Sequence, residues 1–273
     1  MSLSTAQGRG AVLFALTYLV GGCDTKAGDT NTEMLNKADQ PDTSIIQLLE
    51  AGQPIFGIFS GEHTSDGGRA MAETRNTDFV FYSLESGPFD IPAMEEYASA
   101  MEEASGDQGT HPMLLRIPPI RDGHDQARAR VTEGLRAGVA GIVYPHVENA
   151  EDAALAVSAL GDQAWPANPK GHLVNLLLLE DQVAIDNVRE IVSVAGVSMV
   201  SPGPGDLRRV YDGDMERVED AIQTVLAACL ELNVPCGVTA GVEDIADRLE
   251  QGFRIIIVTE PEALAAGMAA AHR

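Results

Sequence analysis

The stretch "LVNLLLLEDQVAIDNVREIVSVAGVSMVS", residues 173–201, sets two apolar runs on either side of an amphipathic one. The first run, 173–179, is apolar except at Asn175. It does not alternate, which is the pattern of a strand covered by helices on both faces. "DNVREIVSVAG" (186–196) then spaces its apolar residues as a helix does, and "VSMVS" (197–201) begins a second strand. Two strands joined through a helix form a βαβ unit, the connection that parallel pairing requires.

The same alternation extends in both directions. Strands are predicted at 55–60, 78–84, 113–117, 141–145, 173–179, 197–201, 234–239 and 254–259. Helical patterns lie between them at 91–104, 151–160, 186–196, 215–232 and 242–252, the last ending on the C-capping Gly252. "EPEALAAGMAAAH" (260–272) closes the chain, and "SIIQLLEAG" (44–52) is a short helix before the first strand. Eight βα units over residues 44–273 predict one (β/α)8 TIM barrel of the α/β class. An open doubly wound sheet is the alternative; no GxGxxG follows the first strand and no P-loop is present, so a nucleotide-binding fold gains no support.

The chain has 273 residues, with 18 Lys and Arg against 41 Asp and Glu, a net charge of −23. That surface repels phosphate backbones, so no nucleic-acid partner is expected. A small anionic substrate would need locally placed cations, either arginine or a metal. Cys23, Cys229 and Cys236 have no zinc-type spacing, and the last two read as buried thiols.

Residues 11–20 are an apolar run too short to span a bilayer, with Arg9 ahead of it and "LVGGC" at its end. This reads as a signal peptide, 1–22, with Cys23 as a lipidated first mature residue, and 23–43 as a polar tether. The expected location is the bacterial cell envelope, lipid-anchored or periplasmic, with any membrane association made only through that anchor. An extra element packed on the body, with a cytoplasmic location, is the other reading.

The active site of such a barrel lies at the C-terminal ends of its strands. There the chain offers Glu62 and His63, Glu85 and Ser86, Arg116, His146, Glu180, and "SPGPGDL" with Asp206. Glu180 and Asp206 each follow an apolar strand, where a lone carboxylate is costly. On neighbouring strands they can share one hard divalent cation, Mg²⁺ or Mn²⁺, or each can cap a helix. Gly203 and Gly205, around Pro204, can let backbone approach a carboxylate, or form a plain turn. Arg116 can hold a substrate anion or pair with Glu85. His63, His124 and His146 are candidate bases or solvated loop residues.

"VFYSLESGPFD", "LLRIPPI", "AGVAGIVYPHVENAEDA", "LLLLEDQVAIDNVREI" and "VSMVSPGPGDL" occur in this order. Together they resemble the HpcH/HpaI aldolase family of metal-dependent class II pyruvate aldolases, over roughly residues 44–271. The resemblance implies that Glu180 and Asp206 bind Mg²⁺ or Mn²⁺, with Co²⁺ as a further option. It implies that Arg116 stabilises a pyruvate enolate oxygen, and that Gly203, Pro204, Gly205 and Asp206 hold the carboxylate of a 2-oxo acid. Cleavage of 4-hydroxy-2-oxo acids to pyruvate and an aldehyde is the implied reaction. A homo-oligomer, a hexamer, is implied too, its last helix packing on a neighbour.

The chain departs from the family pattern at the base. The family's "DGEH" reads "SLES" here, so Ser86 stands for the base histidine and Ser83 for the aspartate. Arg136 stands for a supporting aspartate and Leu178 for a glutamine. Glu85 matches the family glutamate and reads as a site-wall residue. Three readings follow: a lyase whose base is His63, then His146, or a metal-bound hydroxide; different chemistry on a bound 2-oxo acid; or a non-catalytic carboxylate-binding barrel.

Overall fold

A computed structural model of the protein describes residues 43–273, which fall within one compact unit, Gln40–Arg273. The signal-peptide reading of 1–22, the lipidation of Cys23 and nearly all of the 23–43 tether lie outside the described residues. No helix among the described residues is long and apolar enough to cross a membrane.

Eight strands form the centre: β1 (Ile55–Phe59), β2 (Phe79–Ser83), β3 (Met113–Arg116), β4 (Gly141–Tyr144), β5 (Val174–Leu179), β6 (Met199–Pro202), β7 (Gly237–Thr239) and β8 (Ile255–Val258). All pair in parallel in the order β6-β5-β4-β3-β2-β1-β8-β7, and a bridge between Val200 and Cys236 links β6 to β7. The sheet is therefore a nearly closed barrel, a TIM-barrel-like α/β fold, and not the open doubly wound sheet. The helices are α1 (Thr43–Glu50), α2 (Ser65–Ala72), α3 (Ile91–Ser105), α4 (His124–Arg136), α5 (Ala150–Ala159), α6 (Gln182–Asp186), α7 (Val188–Val192), α8 (Pro204–Val210), α9 (Met215–Leu232), α10 (Ile245–Gln251) and α11 (Pro261–Ala270).

The alternation of side chains along each strand builds two cores. One lies between strands and helices and includes Val80, Tyr82, Leu115, Ile142, Leu177 and Val200. The other fills the barrel with Ile55, Phe79, Phe81, Leu114, Val143, Leu176, Leu178, Met199 and Ile257. Gly57 makes room for Phe79, whose ring would lie 2.1 Å from a Cβ there. Helix α1 joins the inner core through Ile45, Ile46 and Leu49, beside the N-terminal ends of the strands. The polar Asn175 of β5 donates its backbone N–H to Ser198 Oγ and accepts the Ser198 backbone N–H at its side-chain Oδ1, each at 3.0 Å, which satisfies otherwise orphaned buried polar groups.

Helices α2, α4 and α8 were not visible as apolar patterns. Helix α2 carries two glycines, and Gly68 exists for contact: a Cβ there would lie 2.2 Å from the Tyr97 carbonyl oxygen of α3. Helix α4 fully buries only Ala127, Val131 and Gly134, and apart from Ala129 and Leu135 its other residues are polar. Ala263 and Gly267 of α11 face their own barrel, where a Cβ on Gly267 would lie 2.5 Å from Phe56, while Ala265, Ala269 and Ala270 are exposed.

Candidate active site

Strand register places the polar residues of the site. Within the barrel Ser83 pairs with Arg116 across β2 and β3, and the residues after β5 and β6 carry the chain to Glu180 and Gly203 at the C-terminal mouth. Arg116 reaches into this mouth held at three points. Its Nε donates to Ser83 Oγ at 2.9 Å, a terminal nitrogen lies 3.0 Å from Glu85 Oε2, and its guanidinium sits 5.2 Å from the Phe81 ring centroid. The pair is mostly shielded, at 18% exposure for each side chain. Ser83, where the family pattern has an aspartate, thus serves as an acceptor that aims Arg116.

Glu180 is buried, at 2% exposure. Its carboxyl is pushed up to about 7, first by that burial and then by the negative charge of Asp206; His146 opposes the shift and Glu85 adds to it. Its Oε2 accepts the His146 backbone N–H at 3.1 Å. Gly203 packs against it so closely that a Cβ would lie 2.5 Å from Glu180 Oε1. Ligand atoms of Glu85, His146 and Glu180 lie within 4.8 Å of one another, a grouping that can hold a metal ion. A buried carboxylate crowded by two other acids, with an imidazole beside it, fits a divalent cation. Asp206, in the first turn of α8, stands beside this group but turns Oδ1 onto Arg209 three residues on.

The histidines separate. His146 follows β4 with a left-handed φ of 55° and joins the carboxylates; its Nδ1 lies 2.7 Å from Asp181 Oδ2. His63 stacks on Tyr82 at 4.0 Å and bonds Ser60 Oγ at 2.9 Å, on the helix-facing side of β2; burial lowers its pKa. The structure thus brings His146, not His63, to Glu180. His124 is not a loop residue: it begins α4 and bonds Asp152 at 2.7 Å. Ser86 is exposed, Pro204 half-buried, and Gly205 faces open space. Arg136 ends α4 and so lies, within one chain, toward the opposite end of the barrel; Leu178 belongs to the inner core.

Two residues of this network were missed in the sequence. Asp181 Oδ2 accepts from both His146 and Arg121, the latter at 3.0 Å, and Arg121 also holds Glu148 at 3.2 Å. Asp181 directly follows Glu180, but nothing in the spacing tied it to His146.

A barrel with carboxylates, an imidazole and a clamped arginine at its C-terminal mouth has the groups that could hold a cation and an anion together. The profile of the HpcH/HpaI aldolase/citrate lyase family matches residues 70–259, and the chain belongs to that family. It is 26% identical over 209 residues to the 5-keto-4-deoxy-D-glucarate aldolase of Klebsiella pneumoniae, spanning 66% of this chain and 76% of that one. It is 28% identical over 155 residues to the 2-dehydro-3,6-dideoxy-6-sulfogluconate aldolase of Pseudomonas putida, spanning 48% of this chain and 61% of that one. The fold is shared with an HpcH/HpaI aldolase/citrate lyase family protein from Burkholderia cenocepacia, at a TM-score of 0.68 and 22% identity, covering 84% of this chain and 98% of that one. Macrophomate synthase shares it at a TM-score of 0.66 and 18% identity, covering 86% and 89%.

Proposed function

We propose that the protein is a metal-dependent carbon–carbon lyase that cleaves 4-hydroxy-2-oxo acids to pyruvate and an aldehyde. The observation that carries this reading is the buried Glu180, crowded by Asp206 and Glu85, within the same mouth as the clamped Arg116. Glu180 and Asp206 would hold Mg²⁺, Mn²⁺ or Co²⁺, which supplies Lewis acidity at the substrate C2 oxygen when bound.

Each side chain has a stated part. Arg116 donates to the C2 oxygen as it gains enolate charge. It is aimed beforehand by Ser83 and Glu85, so little reorganisation is needed as charge develops. Residues 203–206 receive the substrate carboxylate, and Gly203 leaves Glu180 undisplaced. The C4 hydroxyl loses its proton, the C3–C4 bond breaks, and its electron pair forms the enolate of pyruvate. Ser86 is no base at neutral pH, His63 faces Tyr82, and His146 is engaged by Asp181 and Glu180, so that proton passes to solvent hydroxide at the open mouth. Assembly as a homo-oligomer and, through residues 1–43, a place at the cell envelope belong to the same proposal.

The test is pyruvate release from a panel of 4-hydroxy-2-oxo acids with Mg²⁺, Mn²⁺ or Co²⁺. Metal-dependent release is expected with at least one substrate. Tight binding of metal and pyruvate without any cleavage would contradict the reading.

A further inference from the structure

We infer that His146 is a third protein ligand of the metal site, held in place by Asp181, and that it makes the site selective for a transition metal over magnesium. The inference rests on the proposed metal site.

The backbone comes first. His146 adopts φ 55°, a region that non-glycine residues avoid, and its N–H is bound to Glu180 Oε2 at 3.1 Å. That bend turns the ring inward, where the side chain is 12% exposed. Asp181 Oδ2 lies 2.7 Å from Nδ1 and 3.0 Å from the Arg121 guanidinium. With Nδ1 turned to Asp181, Nε2 is the ring nitrogen that faces Glu180 and can offer a lone pair to a metal. A carboxylate fixing the outer nitrogen of a metal-binding imidazole is a recurrent arrangement.

The inner nitrogen has the right neighbours. Nε2 lies 3.9 Å from Glu180 Oε2, and Glu85 completes a set within 4.8 Å. Ligand atoms about 2.1 Å from one octahedral cation lie roughly 3 Å apart when adjacent and about 4.2 Å apart when opposite. The 3.9 Å between His146 and Glu180 falls between these limits. The competing account is an ion pair, in which a doubly protonated His146 only neutralises Glu180. The two differ in which metals bind, because imidazole favours cobalt, nickel and zinc, whereas oxygen-only sites suit magnesium.

The experiment titrates chelator-treated full-length protein with Mg²⁺, Co²⁺ and Zn²⁺ by competition with a chromophoric chelator, and records the visible spectrum of the Co²⁺ form. Co²⁺ and Zn²⁺ should bind at least ~100-fold more tightly than Mg²⁺. His146→Ala should weaken Co²⁺ and Zn²⁺ by more than ~10-fold, alter the Co²⁺ bands, and leave Mg²⁺ within ~3-fold. Asp181→Asn should weaken Co²⁺ by ~10–100-fold. Should His146→Ala fold poorly by circular dichroism, His146→Gln takes its place. Unchanged Co²⁺ affinity and spectrum in a folded His146 variant would overturn the inference. Glu180→Gln separates the two failures: if it abolishes binding while His146 variants do not, only the role of His146 falls; if it too leaves binding intact, the metal site itself falls.

Discussion

At the residue scale the site turns on Glu180. Its carboxyl is raised to about 7 from an ordinary 4.5, chiefly by burial. The folded protein therefore holds a proton that the unfolded chain has released between these values, so stability falls as pH rises through that window. The full effect is on the order of 3 kcal/mol. The melting temperature of metal-free protein should drop from pH 5 to pH 8, and calorimetry of Glu180→Gln should show a smaller drop together with lost metal binding. A divalent cation should raise the melting temperature more at pH 8 than at pH 5, since it binds the ionised form. Gly203→Ala should cut metal affinity by roughly 10-fold or more by pushing the Glu180 carboxylate aside, a change that calorimetric titration reads. Ser86→His should raise cleavage, by up to ~10²-fold, by restoring a base at the exposed mouth. Arg116→Lys, by contrast, loses the fork that meets Ser83 and Glu85 at once, and kcat should fall ~10²-fold.

At the element scale, legibility in the sequence followed burial. Strands such as β5 and β8 are buried throughout, and their runs were read within a residue or two at each end. Helix α4 presents polar residues to solvent over most of its surface, and α2 trades apolar side chains for the Gly68 contact; both left a weak pattern. Glu180 and Arg116 stand out in the sequence because each interrupts or ends an apolar run, whereas Asp206 follows the Pro/Gly turn after β6 and its carboxylate turns onto Arg209. The meeting of His146 with Asp181 was not, because it depends on a left-handed bend after β4 and on the residue after Glu180 sharing the mouth. His63 misled for the opposite reason: its position after β1 is right, but its ring turns to Tyr82. Helix α1 makes a separable contribution at the far end of the barrel. Ile45→Ala should lower stability by ~2–4 kcal/mol in denaturant titrations with kcat unchanged, since Ile45 packs in the inner core away from the mouth.

At the scale of the whole molecule, a chain of net charge −23 opposes the approach of an anionic 2-oxo acid, and the attraction of Arg116 acts only at short range. Raising ionic strength from about 10 mM to about 150 mM shortens the Debye length from ~30 Å to ~8 Å, so kcat/KM for such an acid should rise with salt. The central claim is that this mouth makes an enolate from a bound 2-oxo acid, and it can be tested without knowing the aldehyde. The measurement is exchange of the pyruvate methyl protons for deuterium, followed by NMR in D₂O with added Co²⁺ or Mn²⁺. The account predicts metal-dependent exchange well above background that is lost in Glu180→Gln and strongly slowed in Arg116→Lys. Pyruvate that binds the metal-loaded protein yet exchanges no faster than in buffer would contradict it.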